Sequence, residues 1–343
     1  MTSPTLSIVA PVYNEEAILP EFYARVRDAM VAIGDTWELI LVNDGSRDNS
    51  LPIMWSIAEN DEHVRVVNFA RNFGHQVAVT AGIDHARGAA VVLIDADLQD
   101  PPEVITELVA KWREGYEVVY AVREEREGES WFKRVTAKLF YRILYRITDV
   151  KIPVDTGDFR LMDAKVAQIL RDMREHNRFI RGMTSWVGFK QTGVKYVRHA
   201  RKAGETKYPL RKMLSFALDA VTSFSYFPLQ VMVYMAGFLG IMAIAVAIVI
   251  SILRVTQGEG YFGGQATTIV LLLLLSSFQF LFLFLIGQYV ARIYDETRNR
   301  PLYVVASRNG FSESENDERV APAHGRSSTR LPAPPLETQD AGE

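Results

Sequence analysis

The stretch Val91-Val-Leu-Ile-Asp-Ala-Asp-Leu-Gln-Asp-Pro-Pro-Glu103 drives an apolar segment straight into a cluster of carboxylates. A short apolar run bounded by polar residues and proline reads as a buried strand. Carboxylates are costly to bury unpaired, so the end of this strand must meet solvent, a helix cap or a cation. One acid has a local explanation: Asp100 reads as a helix N-cap with Pro101 at the first helical position. Asp95, Asp97 and Gln99 are left over. Alternation along an extended segment points these three to one side. Oxygen ligands suit a hard divalent cation such as magnesium, whose shell is completed by water and substrate phosphates. The cluster therefore reads as a metal–diphosphate site, with plain solvation of a strand end as the alternative.

Working outward, strand and helix signals alternate. Leu6–Ala10, Trp37–Asn43, Val64–Asn68, Ala90–Ile94 and Glu117–Val122 read as strands. Glu15–Ile33, His75–Arg87 and Pro101–Glu114 read as helices. Such alternation predicts an α/β fold with a mainly parallel sheet. Ligands in these sheets bind beyond the carboxyl ends of the strands. Polar clusters fall at three of those ends: Tyr13-Asn14-Glu15, Asn43-Asp44-Gly45-Ser46 and the Asp95–Gln99 segment. Asn43–Ser46 taken alone is also a good turn sequence; the coincidence at three ends favours a site.

Bulk properties narrow the class. The 343 residues carry a net charge of -3, which gives no basic field for nucleic acid. There is no cysteine, hence no disulfide and no thiolate metal site. The opening Met1-Thr-Ser-Pro-Thr-Leu6 lacks the features of a signal peptide. Two segments, FPLQVMVYMAGFLGIMAIAVAIVISIL (227–253) and QATTIVLLLLLSSFQFLFLFLIGQYVA (265–291), exceed the roughly 20 apolar residues that cross a bilayer. A buried core helix pair is the competing reading. Lys202, Lys207, Arg211 and Lys212 precede the pair and Arg292, Arg298 and Arg300 follow it, whereas the short connection carries Arg254 alone. The positive-inside rule then places both termini in the cytoplasm and loop 254–264 outside. Residues 292–343 form a cytoplasmic C-terminal segment, expected to be disordered after about 307 from its Ser, Pro, Glu and Ala content.

The ordered set Ala10-Pro-Val-Tyr-Asn-Glu15, Val42-Asn-Asp-Gly-Ser-Arg-Asp48 and Asp95–Glu103 resembles the inverting glycosyltransferases of the GT-A (Rossmann-like) fold. Asn72-Phe-Gly-His75, Thr156-Gly-Asp-Phe-Arg-Leu-Met162 and Gly204-Glu-Thr-Lys-Tyr208, followed by two apolar spans, resemble the polyprenyl-phosphate glycosyltransferases. The likeness runs from about Leu6 to Val305. It implies a catalytic domain over 1–208, a nucleotide-sugar donor, Mg2+ or Mn2+, a polyprenyl phosphate acceptor and inversion in one displacement. Carried onto this chain, it implies that Pro11, Tyr13, Glu15, Asp44 and Asp95 contact the donor nucleotide. It implies that Asp97 and Gln99 ligate the metal. It implies that Arg123 acts near the diphosphate, that Asp158 acts at the acceptor, and that Lys133, Arg201 and Lys207 contact the acceptor phosphate. Closer likeness to the bacterial glucosyl enzymes favours UDP-glucose and undecaprenyl phosphate, with a GDP-mannose enzyme as the alternative. It also implies a homo-oligomer, a tetramer, in a bacterial cytoplasmic membrane.

The chemistry is consistent with these residue types. Charge grows on the departing diphosphate, where a metal and a cation such as Arg123 would stabilise it. The acceptor is a phosphate monoester with a second pKa of about 6, so it needs little deprotonation. Asp158 is therefore expected to orient groups more than to remove a proton. The plainer readings are a turn carboxylate beside Gly157 for Asp158, and a solvated charge run for Arg123. Trp131–Ile147 and the segment 209–226 read as interfacial amphipathic helices, with an ordinary surface helix packed on the sheet as the competing reading of the first. A processive polysaccharide synthase is disfavoured by the two spans and by Asn177-Arg-Phe-Ile-Arg181, which lacks that class's tryptophan. A non-catalytic, membrane-anchored nucleotide-sugar scaffold would not need the full carboxylate set.

Overall fold

A computed structural model describes residues 3–123, 156–198, 227–257 and 265–311. Lys133, Arg201, Lys207 and both expected interfacial helices lie outside these residues. The strands are β1 (Leu6–Val12), β2 (Trp37–Asn43), β3 (Val64–Phe69), β4 (Ala90–Leu93), β5 (Val118–Arg123), β6 (Thr156–Asp163), β7 (Gln191–Tyr196) and β8 (Val305–Asn309). The helices are α1 (Leu19–Ile33), α2 (Ser50–Asn60), α3 (His75–His85), α4 (Ile105–Arg113), α5 (Ala164–Asp172), α6 (Ile180–Trp186), α7 (Phe227–Gln257) and α8 (Gln265–Thr297).

The strands form one eight-stranded sheet in the order β7-β5-β6-β4-β1-β2-β3-β8. The β1–β2, β1–β4, β2–β3 and β5–β7 pairs are parallel, as expected. The β4–β6, β5–β6 and β3–β8 pairs are antiparallel. Helices cover both faces, which is why β1 and β2 are apolar almost throughout. Leu6, Ile8 and Ala10 pack with Phe22, Val26 and Leu108 on one face; Val9 packs with Val79, Ile83 and Val166 on the other. Full burial of such a side chain contributes roughly 1.5–3 kcal/mol. On β6 the same alternation sends Phe159 and Leu161 into the first core. Asp158 and Arg160 therefore face the α3 side.

A last strand, unforeseen in the sequence, closes one edge of the sheet: Val305–Asn309 pairs Ser307 with Asn68 and Arg308 with Val67. Tyr303 stacks on Phe69 at 5.1 Å, and the Arg65 guanidinium sits 4.9 Å from the Phe311 ring. Average composition misses a short strand that satisfies the open edge of β3. Two expectations need correction, and the first concerns Asp100, which makes no helix cap. Helical structure begins with a 3-10 turn at Pro102–Val104, and Asp100 is fully buried, accepting a hydrogen bond from Tyr196. Second, Asp95, Asp97 and Gln99 are not displayed by an extended strand. The chain turns after Leu93, Leu98 is left-handed (φ 56°), and Asp97 Oδ1 accepts from the Gln99 backbone N–H at 3.1 Å.

The described side chains of α7 and α8 are largely exposed, which rules out a buried core pair. Both helices are long and apolar enough to cross a membrane, over Val231–Leu253 and Leu275–Thr297. The end of α8 is tied to the sheet domain. Glu296 accepts from the His176 backbone N–H at 2.8 Å; the imidazole Nδ1 lies 3.1 Å from the same carboxylate, and Nε2 donates to the Arg300 carbonyl at 2.9 Å.

Candidate active site

The parallel strands β4, β1 and β2 are neighbours, so their carboxyl ends and the loops beyond them lie along one edge. Pro11 is half-buried within β1, Tyr13 is exposed just past its end, and Glu15 is half-buried. Their loop is fastened to the next one: Asn14 N–H donates to Ser46 Oγ (3.0 Å), Glu15 N–H to Ser50 Oγ (2.9 Å), and Arg47 N–H to Asn14 Oδ1 (2.8 Å). Asn14 adopts φ 57° to do so. Gly45 is left-handed (φ 67°), and a Cβ there would come within 2.5 Å of the Asn72 backbone nitrogen. Glycine therefore permits the loop before α3 to lie against the end of β2.

Asp44 fixes that loop. Its carboxylate accepts from Phe73 N–H at 2.7 Å and from Gly74 N–H at 3.0 and 3.2 Å. Burial raises its pKa, with the two backbone donors opposing. Asp44 thus sets where α3 begins, and α3 begins with His75.

His75 Nε2 lies 3.0 Å from Asp158 Oδ2 and 3.6 Å from Asp95 Oδ1. One imidazole nitrogen therefore sits between carboxylates at the ends of two strands. Burial would lower the His75 pKa, but the Asp158 hydrogen bond and the charge of Asp95 raise it on balance. Asp158 has two further donors: Gln76 Nε2 to Oδ2 at 2.9 Å and Arg181 Nε to Oδ1 at 2.7 Å. Burial works against ionisation, yet His75 and Arg181 hold this carboxyl well below the usual range. Gln76 also accepts from Ile180 N–H at 3.0 Å, which locks the start of α6, and hence Arg181, against α3. Behind Asp158, the buried Arg160 donates to the Gly157 carbonyl (2.9 Å), the Asp158 carbonyl (3.3 Å) and Thr184 Oγ1.

Burial pushes Asp95 up to about 6; His75 opposes the rise, and Asp158, Asp100 and Asp97 add to it. Among the described residues, no three His, Asp or Glu side chains converge as a closed metal cage. Asp97 and Gln99 offer one carboxylate and one amide oxygen in a single turn, beside two more acids. That donor set fits a hard cation whose shell is finished by water and substrate oxygens. Arg123, at the end of β5, donates from Nε to Tyr196 Oη at 3.3 Å. Its Nη2 lies 2.6 Å from where a Cβ on Gly157 would be, so it rests on the residue preceding Asp158.

The structure thus brings Asp44, Asp95, Asp158 and Arg123 into one connected region. His75, Gln76, Arg160 and Arg181 belong to it although sequence reasoning assigned them no role. The sequence signals two of them, His75 in the Asn72–His75 motif and Arg160 in the Thr156–Met162 motif, whereas Arg181 stands in a segment marked only by its lack of a tryptophan.

Residues 7–170 match glycosyl transferase family 2. The chain is 51% identical to the "Uncharacterized glycosyltransferase YkcC" of Bacillus subtilis (strain 168), over 89% of this chain and 94% of that protein. The chain belongs to glycosyl transferase family 2. Within that family it is 39% identical to the "Prophage bactoprenol glucosyl transferase homolog" of Escherichia coli (strain K12), covering 88% of this chain and 98% of the relative. The "SfII prophage-derived bactoprenol glucosyl transferase" of Shigella flexneri is also 39% identical, over 88% and 97%. The mostly parallel sheet with helices on both faces is the fold expected for a GT-A member of the family.

Proposed function

We propose that this glycosyltransferase moves a hexose, glucose from UDP-glucose, onto a polyprenyl phosphate such as undecaprenyl phosphate at the cytoplasmic face of a membrane. The observation that carries this reading is near full-length identity of 39% to proteins named bactoprenol glucosyl transferase. Two features support it. The apolar helices suit a lipid-borne acceptor, and α8 runs from its apolar span into contact with His176, in the loop before α6 and Arg181.

The donor nucleotide is assigned to Pro11, Tyr13, Glu15, Asp44 and Asp95. Asp44 contributes by shaping the pocket floor, since its oxygens already serve Phe73 and Gly74. A divalent cation, Mg2+ or Mn2+, would be held by Asp97 and Gln99, and when bound would offset charge on the diphosphate. Arg123 stabilises the same developing charge from the β5 side. Asp158 acts as a positioning group. A carboxylate with both oxygens engaged and a depressed pKa is a poor proton acceptor, and a phosphate dianion needs none. It holds Arg181, whose positive charge suits two anionic substrates, and His75, which the same contact biases toward its charged form. Lys133, Arg201 and Lys207 are assigned to the acceptor phosphate, and a homo-oligomer to the assembly.

The test is transfer by the purified full-length protein, using radiolabelled UDP-glucose, UDP-galactose, UDP-N-acetylglucosamine or GDP-mannose with undecaprenyl phosphate in detergent. A lipid-soluble glucosyl product is expected. Product from GDP-mannose alone would reassign the sugar; none from any donor would remove the reading.

A further inference from the structure

Asp100 and Tyr196 are two buried polar side chains that the assignments above leave without a task. They lie 96 positions apart and share a hydrogen bond from the Tyr196 hydroxyl to Asp100 Oδ1. Asp100 is wholly buried and directly follows Gln99. Tyr196 is the cross-strand partner of Arg123 in the parallel β5–β7 pair. Its ring is set edge-on to Phe159, 5.9 Å away. Arg198 Nε approaches the same Asp100 oxygen to 3.4 Å.

We propose that Tyr196 and Asp100 are positioning residues, a hydroxyl–carboxylate pair that holds the Arg123 guanidinium against Gly157 and couples it to the Asp97–Gln99 turn. This rests on the reading of Arg123 as the cation acting on the donor diphosphate. The polarity of the chain of hydrogen bonds is fixed by chemistry. Arg123 only donates, so the hydroxyl that joins it to Asp100 accepts from the guanidinium and gives its own hydrogen to Asp100 Oδ1. Burial and the adjacent Asp100 raise the Tyr196 pKa, which keeps that proton in place. An arginine has many rotamers, and one pinned at Nε loses little further entropy when its terminal nitrogens meet phosphate. Gly157 completes the seat, because any side chain there would meet Arg123 Nη2.

The experiment is a double-mutant cycle on the full-length protein, with UDP-glucose and undecaprenyl phosphate as the probe pair. Arg123→Ala is expected to lower kcat by about 100-fold. Tyr196→Phe keeps the ring and is expected to lower kcat by about tenfold, with the lipid KM within about twofold. In the Arg123→Ala background Tyr196→Phe should have no further effect, since the group it positions is gone. Gly157→Ala, which displaces Arg123 without touching Asp100, should repeat that pattern and covers the case in which Tyr196→Phe fails to fold. Equal losses from Tyr196→Phe in both backgrounds would overturn the proposal and mark a purely structural pair. An unchanged kcat in Tyr196→Phe and Gly157→Ala would overturn it too. An unchanged kcat in Arg123→Ala would instead overturn the reading of Arg123, and this proposal with it.

Discussion

The imidazole of His75 and the carboxylate of Asp158, separated by 83 positions in sequence, meet at 3.0 Å between the start of α3 and strand β6. The contact joins a helix whose start is fixed by Asp44 to a strand that Arg160 ties to Thr184 on α6. It makes Asp158 a fixed anion and His75 a histidine biased toward its charged form. Both consequences can be measured.

Asp158→Asn should lower kcat by about 100-fold. If Asp158 orients His75 and Arg181, the mutant pH–rate curve from pH 5.5 to 9 should show no recovery at high pH, and a basic limb set by His75 should move to lower pH, because the mutant lacks the partner that raises the His75 pKa. Recovery of the mutant at high pH would identify a proton acceptor instead.

His75 also predicts a pH-dependent stability. Its folded pKa lies above the ordinary value of about 6.5. Its contribution is therefore complete below that ordinary value and is lost as pH rises through the folded one. The difference in Tm between wild type and His75→Gln should be largest near pH 6 and shrink toward pH 9, read by thermal unfolding in detergent. A gap that widens with pH would contradict the Asp158 pairing.

Chelation with EDTA should abolish transfer, with Mg2+ or Mn2+ restoring it. Asp97→Asn should raise the half-saturating metal concentration at least about tenfold, measured by metal titration of initial rate. Full turnover in EDTA would refute a metal at Asp97 and Gln99.

Tyr303 stacks on Phe69 and donates to Asp84 at 2.9 Å, which also accepts from Arg174 at 2.8 Å. Tyr303→Ala should cost about 2–3 kcal/mol, less than a fully buried aromatic because the site is half-buried. Urea unfolding followed by circular dichroism would show it. No loss would mean that the segment after α8 does not brace the sheet.

The apolar strands, the acidic cluster after β4 and the two long apolar segments were readable because each is a local pattern with its own physics. Parallel strands then bring their polar ends together, so Asp44, Asp95 and Asp97 could be named as a group. The fate of Asp100 was not readable. Next to Pro101 it has every local mark of a cap, but a tyrosine from β7 reaches it and tertiary burial overrides the local preference. The same holds for β8, whose Ser, Arg and Asn content hides a strand that forms because β3 has an edge to fill.

By itself, then, the chain's sequence determined an α/β sheet domain joined to two membrane-length helices, and the acidic residues at its strand ends. Only the tertiary structure decided that His75, Gln76 and Arg181 enclose Asp158 and that Tyr196 holds Arg123. Periodicity reports which face of an element is apolar. It does not report which polar side chains, some eighty or a hundred positions apart, will share a hydrogen once those faces are packed.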